Sequence, residues 1–424
     1  MSAFAKAPAS RSRTLKAVLG GIAVVGVSAL VLSGCASTPE ETTTPEGPRD
    51  LTLKIGTALP VTGNLAFLGP PEIAGVGLAA QEINDANVGI KIEVTYGDSG
   101  DADNKAYATE VPRLLSAGVS AIIGAASSGT SKLFIDDVTG AGVIQFSPAN
   151  TSADFTTWDD NGLYWRTAPS DVLQGEVLGN LIAEDGNETL GIIYLNDSYG
   201  TGLKDFTSKA FTAADGEVVA EASYNTGDTS FDAQISAVTA ADPDAIALIA
   251  FEETKTIVPA LSGFPADKLY FVDGNLSDYS ADFAEGTLTG AKGTLPGLDT
   301  GDLGDFTDRL QAFVKGEGED ELKDYSYAAE SYDATILLAL ASLAAGSTDS
   351  AAMAEKLIEV SGGSGDGEKC ETFADCAEII LGGGVADYDG ISGPITFDEV
   401  GDPTEASIGI YQFGEDNNYV AYEG

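Results

Sequence analysis

Residues 120–131 read Ser-Ala-Ile-Ile-Gly-Ala-Ala-Ser-Ser-Gly-Thr-Ser. The apolar run 120–125 is the pattern of a strand buried on both faces. Ser127, Ser128 and Gly129 follow where that strand ends and a helix begins. A buried strand passing through a small-residue turn into a helix is the repeating unit of a parallel sheet covered by helices.

The same alternation extends in both directions. Upstream, 51–60 and 90–96 read as strands. Residues 71–86 read as a helix with Pro71 in its first turn, and 104–117 as a helix kinked or started at Pro112. Downstream, 143–147 is another strand. After Arg166 the series resumes: helix from Asp171, strand 190–195, helix from Gly202, strand 218–224, helix from Phe231, strand 245–250, helix 255–261, strand 269–272. Helices 306–314 and 327–345 follow, then late strands at 395–397 and 408–413. The two series, 51–147 and 190–272, predict an α/β chain of two doubly wound parallel-sheet domains joined near 167–171. Ligands of such sheets bind beyond the carboxyl ends of the strands, so a cleft between two facing sheets is where polar residues should converge.

The ends and the charge bound the setting. Arg11, Arg13 and Lys16 precede an apolar run, 17–32, and then Leu32-Ser33-Gly34-Cys35. That order is a secretory signal, and the run is short for a spanning helix. Residues 35–50 contain a Thr-, Pro- and Glu-rich stretch expected to be a solvated tether. The chain carries 66 acidic against 21 basic residues, no histidine, and a net charge of −45. Such a surface repels nucleic acid and favours solubility. No Walker loop, G-x-S-x-G elbow or metal-ligand cluster is present, and the commonest general base is missing. An enzyme, a resident metal and a cofactor are therefore not expected. Cys370 and Cys376, with five residues between them, read as a disulfide in an oxidising compartment, the alternative being two free thiols.

Leu32-Ser33-Gly34-Cys35 resembles the bacterial lipobox, whose cysteine is lipidated; by that resemblance residues 1–34 are a removed signal and Cys35 anchors the chain to the membrane. Four further segments, in order, resemble the branched-chain amino-acid-binding family of type I periplasmic binding proteins: 54–75 (KIGTALPVTGNLAFLGPPEIAG), 122–131 (IIGAASSGTS), 145–151 (QFSPANT) and 390–402 (GISGPITFDEVGD). The 370–376 loop also resembles a feature of lipoprotein members from high-GC Gram-positive bacteria. The resemblance implies two lobes joined by three crossovers, lobe I being 51–168 plus 298–394 and lobe II 169–297 plus 395–424.

An α-amino acid presents a carboxylate and an ammonium that a cleft must satisfy together. The Ser127–Gly129 turn suits the carboxylate through backbone N–H groups and the Ser128 hydroxyl, although plain N-capping would use the same residues. The resemblance gives Ser128 and Thr151 that role, with the Ala149 carbonyl facing the ammonium. It places Asp273, followed by Gly274, as the ammonium's acidic partner; a solvated Asp-Gly turn is the alternative. Tyr199 matches an aromatic that packs on the ligand. Phe251 or Glu252 occupies a second aromatic position, and Leu68 stands where branched-chain binders carry an aromatic. Glu252 and Glu253 read better as a solvated acidic turn than as cleft residues. Arg166 reads as a structural residue at the first crossover, with Tyr164 and Trp165 in the core. The expected function is an exported, lipid-anchored, monomeric solute-binding protein that hands an amino acid to the permease subunits of an ABC importer. An amide or urea binder, or a sensor on the same fold, is the alternative.

Overall fold

The computed structural model describes residues 50–298 and 303–422. The signal segment, Cys35 and the tether up to residue 49 lie outside the described residues. Among the described residues, fifteen strands form two large sheets and one small one. The first sheet holds β1 (Leu51–Ala58), β2 (Ile90–Thr95), β3 (Ala121–Gly124), β4 (Ile144–Ser147) and β5 (Tyr164–Arg166). The second is built on β6 (Thr189–Leu195), β7 (Glu217–Tyr224), β8 (Ala245–Ile249), β9 (Leu269–Phe271) and β10 (Lys292–Pro296). Next come β11 (Glu368–Cys370), β12 (Ala386–Gly390) and β13 (Gly393–Pro394), which make the small sheet. Then β14 (Ile408–Phe413) and β15 (Tyr419–Ala421) complete the second.

The two sheets repeat one topology. The first is ordered β2-β1-β3-β4-β5, all parallel, and the second runs β7-β6-β8-β9-β10 in the same sense. In each, the chain reverses its direction of travel between the first and third strands of the series. That switch point opens a crevice at the carboxyl ends of those strands. The second sheet then departs from the parallel expectation, because β14 and β15 add antiparallel to β10. The fold is that of a type I periplasmic binding protein, two doubly wound α/β lobes.

Each sheet has its own apolar core. Helix Ala328–Ala345 lies at the centre of the first, packing with helix Gly69–Ala86. It is apolar and long enough to cross a membrane, but 89% of it is buried within the fold, so it is a core helix.

Several segments differ from the sequence expectation. Residues 164–166, for which no strand was expected, form an edge strand, and Tyr164 and Trp165 are buried as expected. The helix expected from 104 starts at Tyr107 and carries Pro112 in its interior. The helix expected from Gly202 starts at Ser198, because Asp197 caps it by accepting from the Gly200 N–H. The strand expected over 395–397 is reduced to an isolated bridge between Phe397 and Pro403. Ile395 and Phe397 pack in the first core, where Phe397 meets Phe146 and Trp165 edge-on, so these residues do not join the second sheet. Strands β10 to β12 and helices Ser350–Val360 and Phe373–Leu381 carried no clear signal. A disulfide joins Cys370, the last residue of β11, to Cys376 within this last helix.

Candidate functional site

The site lies where the switch-point crevices of the two sheets meet. From the first sheet come the segment after β1, with Leu65 and Leu68, the turn after β3, with Ala126, Ser127 and Ser128, and Ala149 after β4. From the second come Tyr199 after β6, Phe251 after β8, and Asp273 and Gly274 after β9. Tyr327, just before the central helix, completes the wall. Every residue singled out for ligand contact lines this cavity except Thr151, which is buried but not among the lining residues. The cavity is tight, about 10 Å³, space for roughly one water molecule.

A buried polar network holds the Ser127–Ser128 turn. The Asn150 side-chain amide donates to the carbonyls of Ala125 (3.0 Å) and Ala126 (2.7 Å), and Tyr164 donates to Asn150 (2.9 Å). Arg166, fully buried, donates to the carbonyls of Asn150 and Ser152 and clamps Asp402 with two bonds, at 2.6 and 2.8 Å. The expected structural role of Arg166 thus has a specific form: it ties the end of β5 to the 398–402 turn and steadies the turn beside the cavity. Two bonds from a planar guanidinium give that tie direction as well as strength.

The two serines divide their work. Ser127 Oγ accepts from the Thr130 N–H at 3.2 Å, which is the capping role. Ser128 Oγ accepts from the Ser152 N–H at 3.3 Å, which leaves the hydroxyl hydrogen free to donate. Thr151 is buried, with its carbonyl accepting from the Asp171 N–H at 2.6 Å. Neither its hydroxyl nor the Asp171 carboxylate makes a hydrogen bond of good geometry. Burial, then the charge of Asp273, push Asp171 well above the usual carboxylate range, while the nearby Thr151 hydroxyl and Arg166 hold it down in part.

Asp273 is the polar centre of the opposite wall. It is 5% exposed, which sets aside the solvated-turn alternative. Tyr199 donates to Oδ1 at 2.6 Å, the Gln174 amide to Oδ1 at 3.1 Å, and Tyr327 to Oδ2 at 2.8 Å. Burial pushes its carboxyl up, and these donors limit the rise. Gly274 is required by space, since a Cβ there would lie 2.6 Å from the Phe251 ring. That ring stacks on Tyr199 at 5.4 Å.

Phe251 faces the cavity, whereas Glu252 points to solvent and pairs with Lys255 at 3.0 Å. Glu253 does not behave as a solvated turn residue. It is buried on the seam, accepting from the Asn64 side chain at 2.6 Å and the Phe251 N–H at 3.1 Å. Tyr327, Asp171 and Gln174 were not singled out from sequence. Tyr327 precedes its helix at φ +59°, and a lone tyrosine before a helix carries no pattern that marks a cleft residue.

A periplasmic binding protein family model matches residues 52–369. A Leu/Ile/Val-binding protein homologue of Brucella abortus is 26% identical over 378 residues, covering 86% of this chain and 92% of its own. A leucine-, isoleucine-, valine-, threonine- and alanine-binding protein of Pseudomonas aeruginosa is 31% identical over 189 residues, covering 44% of this chain and 50% of its own. The chain spans about half the length of two of the curated relatives it matches, 52% and 50%. The substrate-binding protein LivJ of Streptococcus pneumoniae, solved with isoleucine, superposes with a TM-score of 0.69 at 22% identity, over 88% of this chain and 99% of its own. At that identity the likeness speaks for the fold alone. The family comprises binding proteins rather than enzymes, and the match extends over most of the sequence: the chain belongs to the periplasmic binding protein family.

Proposed function

We propose that this chain captures a free amino acid in the cleft between its lobes and presents it to the permease of an ABC importer. One observation carries the reading: a buried carboxylate, Asp273, shares a small cavity with the Ser127–Ser128 turn, and no Lys or Arg lines that cavity. The cavity as it stands has room for about one water molecule, so the lobes part to admit a ligand, and the two walls then suit a zwitterion. Its carboxylate takes the Ser128 hydroxyl and the turn's backbone N–H groups, and its ammonium takes Asp273 and the Ala149 carbonyl. A neutral amide or urea would leave Asp273 without a counter-charge, which favours the amino acid over that alternative.

Capture proceeds by closure. The turn of lobe I meets the ligand first, and Tyr199 and Asp273 then enclose it as the lobes come together. The permease distinguishes the closed form by its higher affinity for it. The family supports a location outside the cytoplasm, and the basic and apolar segments ending in Leu32-Ser33-Gly34-Cys35 support a lipoprotein held on the outer face of the membrane. A calorimetric screen of the common amino acids, amides and urea tests the reading. Saturable binding of an amino acid is expected; binding of an amide alone would favour the alternative, and no binding by folded protein would end both.

A further inference from the structure

Tyr327 has a cavity on each side. One is the ligand cavity; the other, of about 180 Å³, shares only that residue with it. Both lobes build the second cavity. Residues 323–330, leading into the central helix, form one wall, and residues of β10, β14 and β15 form the other. It is small beside drug-sized ligand sites, which run to about 300–1,000 Å³, so it admits a ligand of few heavy atoms.

Asp278, Asp324 and Glu330 line this cavity, but acid alone decides little on a chain with 66 acidic residues. Glu330 is the observation that points to a ligand. It is 6% exposed, yet its carboxylate makes no hydrogen bond or ion pair with another described residue. The Gly297 N–H beside it is spent on the Ser407 carbonyl at 3.0 Å. Buried Glu72 and Asp333 add charge of the same sign, and only the residue's own backbone N–H opposes the rise to about 8 that burial causes. Lys323, the one base on the lining, is exposed and forms no ion pair among the described residues. On the same wall, Asp324 Oδ2 and the Ser326 hydroxyl are buried and make no hydrogen bond of good geometry. A carboxylate so deeply placed calls for a cation that the protein does not supply.

The rest of the lining selects the kind of cation. Among the described residues no three acidic side chains converge as a metal ion would need. Tyrosine rings stand there instead. The Tyr325 hydroxyl accepts from the Gln311 amide at 2.7 Å and the Tyr327 hydroxyl donates to Asp273, so both are engaged elsewhere and leave their rings to the cavity. Tyr419 adds a third ring from β15. Aromatic rings around a carboxylate suit a cation whose charge is spread over carbon. We infer that this cavity is a second ligand site, for a small organic ammonium ion held by Glu330 between tyrosine rings of both lobes. The site is independent of what the cleft binds, and its occupant stabilises the fold by bridging the lobes.

The test compares choline with 3,3-dimethylbutan-1-ol, which keeps its shape and replaces the charged nitrogen by carbon. Titration calorimetry on the intact protein at pH 8.5 and fixed ionic strength should find saturable choline binding, at least about ten-fold tighter than the alcohol. Glu330→Gln keeps the shape and removes the charge, and should weaken choline by at least about ten-fold. Tyr419→Leu removes a ring and should weaken it too, which keeps the test open if Glu330→Gln does not fold. Asp273→Asn keeps an acceptor for Tyr327 and removes the charge of the ligand cavity; choline affinity should stay within about three-fold. No choline binding, equal binding of the alcohol, or undiminished choline affinity in folded Glu330→Gln would each overturn the site. Loss of choline binding in folded Asp273→Asn would overturn it as well, by putting the cation in the amino-acid cleft.

Discussion

The Tyr327 hydroxyl donates to Asp273 Oδ2 at 2.8 Å, joining the start of the central helix of one lobe to the acid at the carboxyl end of β9 in the other. The bond makes Asp273 a shared element of the two lobes. Both partners are buried, so it works without competition from water.

Tyr327→Phe keeps the ring and the backbone conformation and removes one of the donors to Asp273. The carboxylate then loses part of its compensation. The variant should unfold in urea about 1.5–3 kcal/mol more easily than the parent, the range for a hydrogen bond to a charged group.

Asp273→Ala removes the only carboxylate lining the inner cavity. If an ammonium is buried against it, amino-acid affinity should fall by about 2–5 kcal/mol, read by calorimetry. Unchanged affinity would mean that Asp273 serves the seam rather than the ligand.

Glu330 sets a pH dependence. It is buried in the first turn of the central helix, where its backbone carbonyl accepts from Thr167 at 3.0 Å. Its Oε1 fills the space a Cβ would need at Gly297, 2.5 Å away, and that glycine sits at φ +101°. Burial, then the charge of Asp333, push Glu330 up to about 8, and Glu330 in turn adds to the rise of buried Glu72. A carboxyl with a raised native pKa stabilises the fold fully below its unfolded value, about 4.3, and loses that contribution as pH climbs to 8. Thermal stability should therefore decline from pH 5 to pH 8 by up to about 1.4 kcal/mol per unit for this group. Glu330→Gln, a neutral mimic, should flatten the slope in a melting series across that range.

Arg166 is the largest fully buried side chain, and Asp402 is its counter-charge. Asp402→Asn leaves a guanidinium buried without charge compensation. A loss of about 3–5 kcal/mol in chemical denaturation is expected, with weaker ligand affinity because the Asn150 and Ser152 carbonyls lose a fixed donor.

Cys35→Ala should abolish incorporation of labelled fatty acid into the exported protein and release it to the medium. Persistent labelling would point to another attachment site.

Much of the fold was legible because apolar runs of four to eight residues alternating with helical periodicity have few interpretations other than a parallel sheet covered by helices. The misreadings are local and have reasons. Residues 395–397 are apolar like a strand, yet their side chains fill the space against Phe146 and Trp165 and so do not pair as one. Strand β10 includes Lys292 and Pro296 and lacks the expected pattern. Glu253 sits in a turn that reads as polar and solvated; it is buried by contacts distant in sequence, Asn64 from the other lobe and Tyr224 from its own.

What the amino-acid order decided by itself was the α/β architecture, the turns at the strand ends, and the residue types gathered there, because strand period, turn chemistry and capping act over a few neighbouring residues. Tertiary structure alone decided that Tyr327 reaches Asp273, that Phe251 rather than Glu252 faces the cavity, and that Glu330 lines a chamber walled by both lobes. Those are contacts between segments distant in sequence or choices between adjacent side chains. They are set by how two packed cores meet, a property that local sequence does not carry.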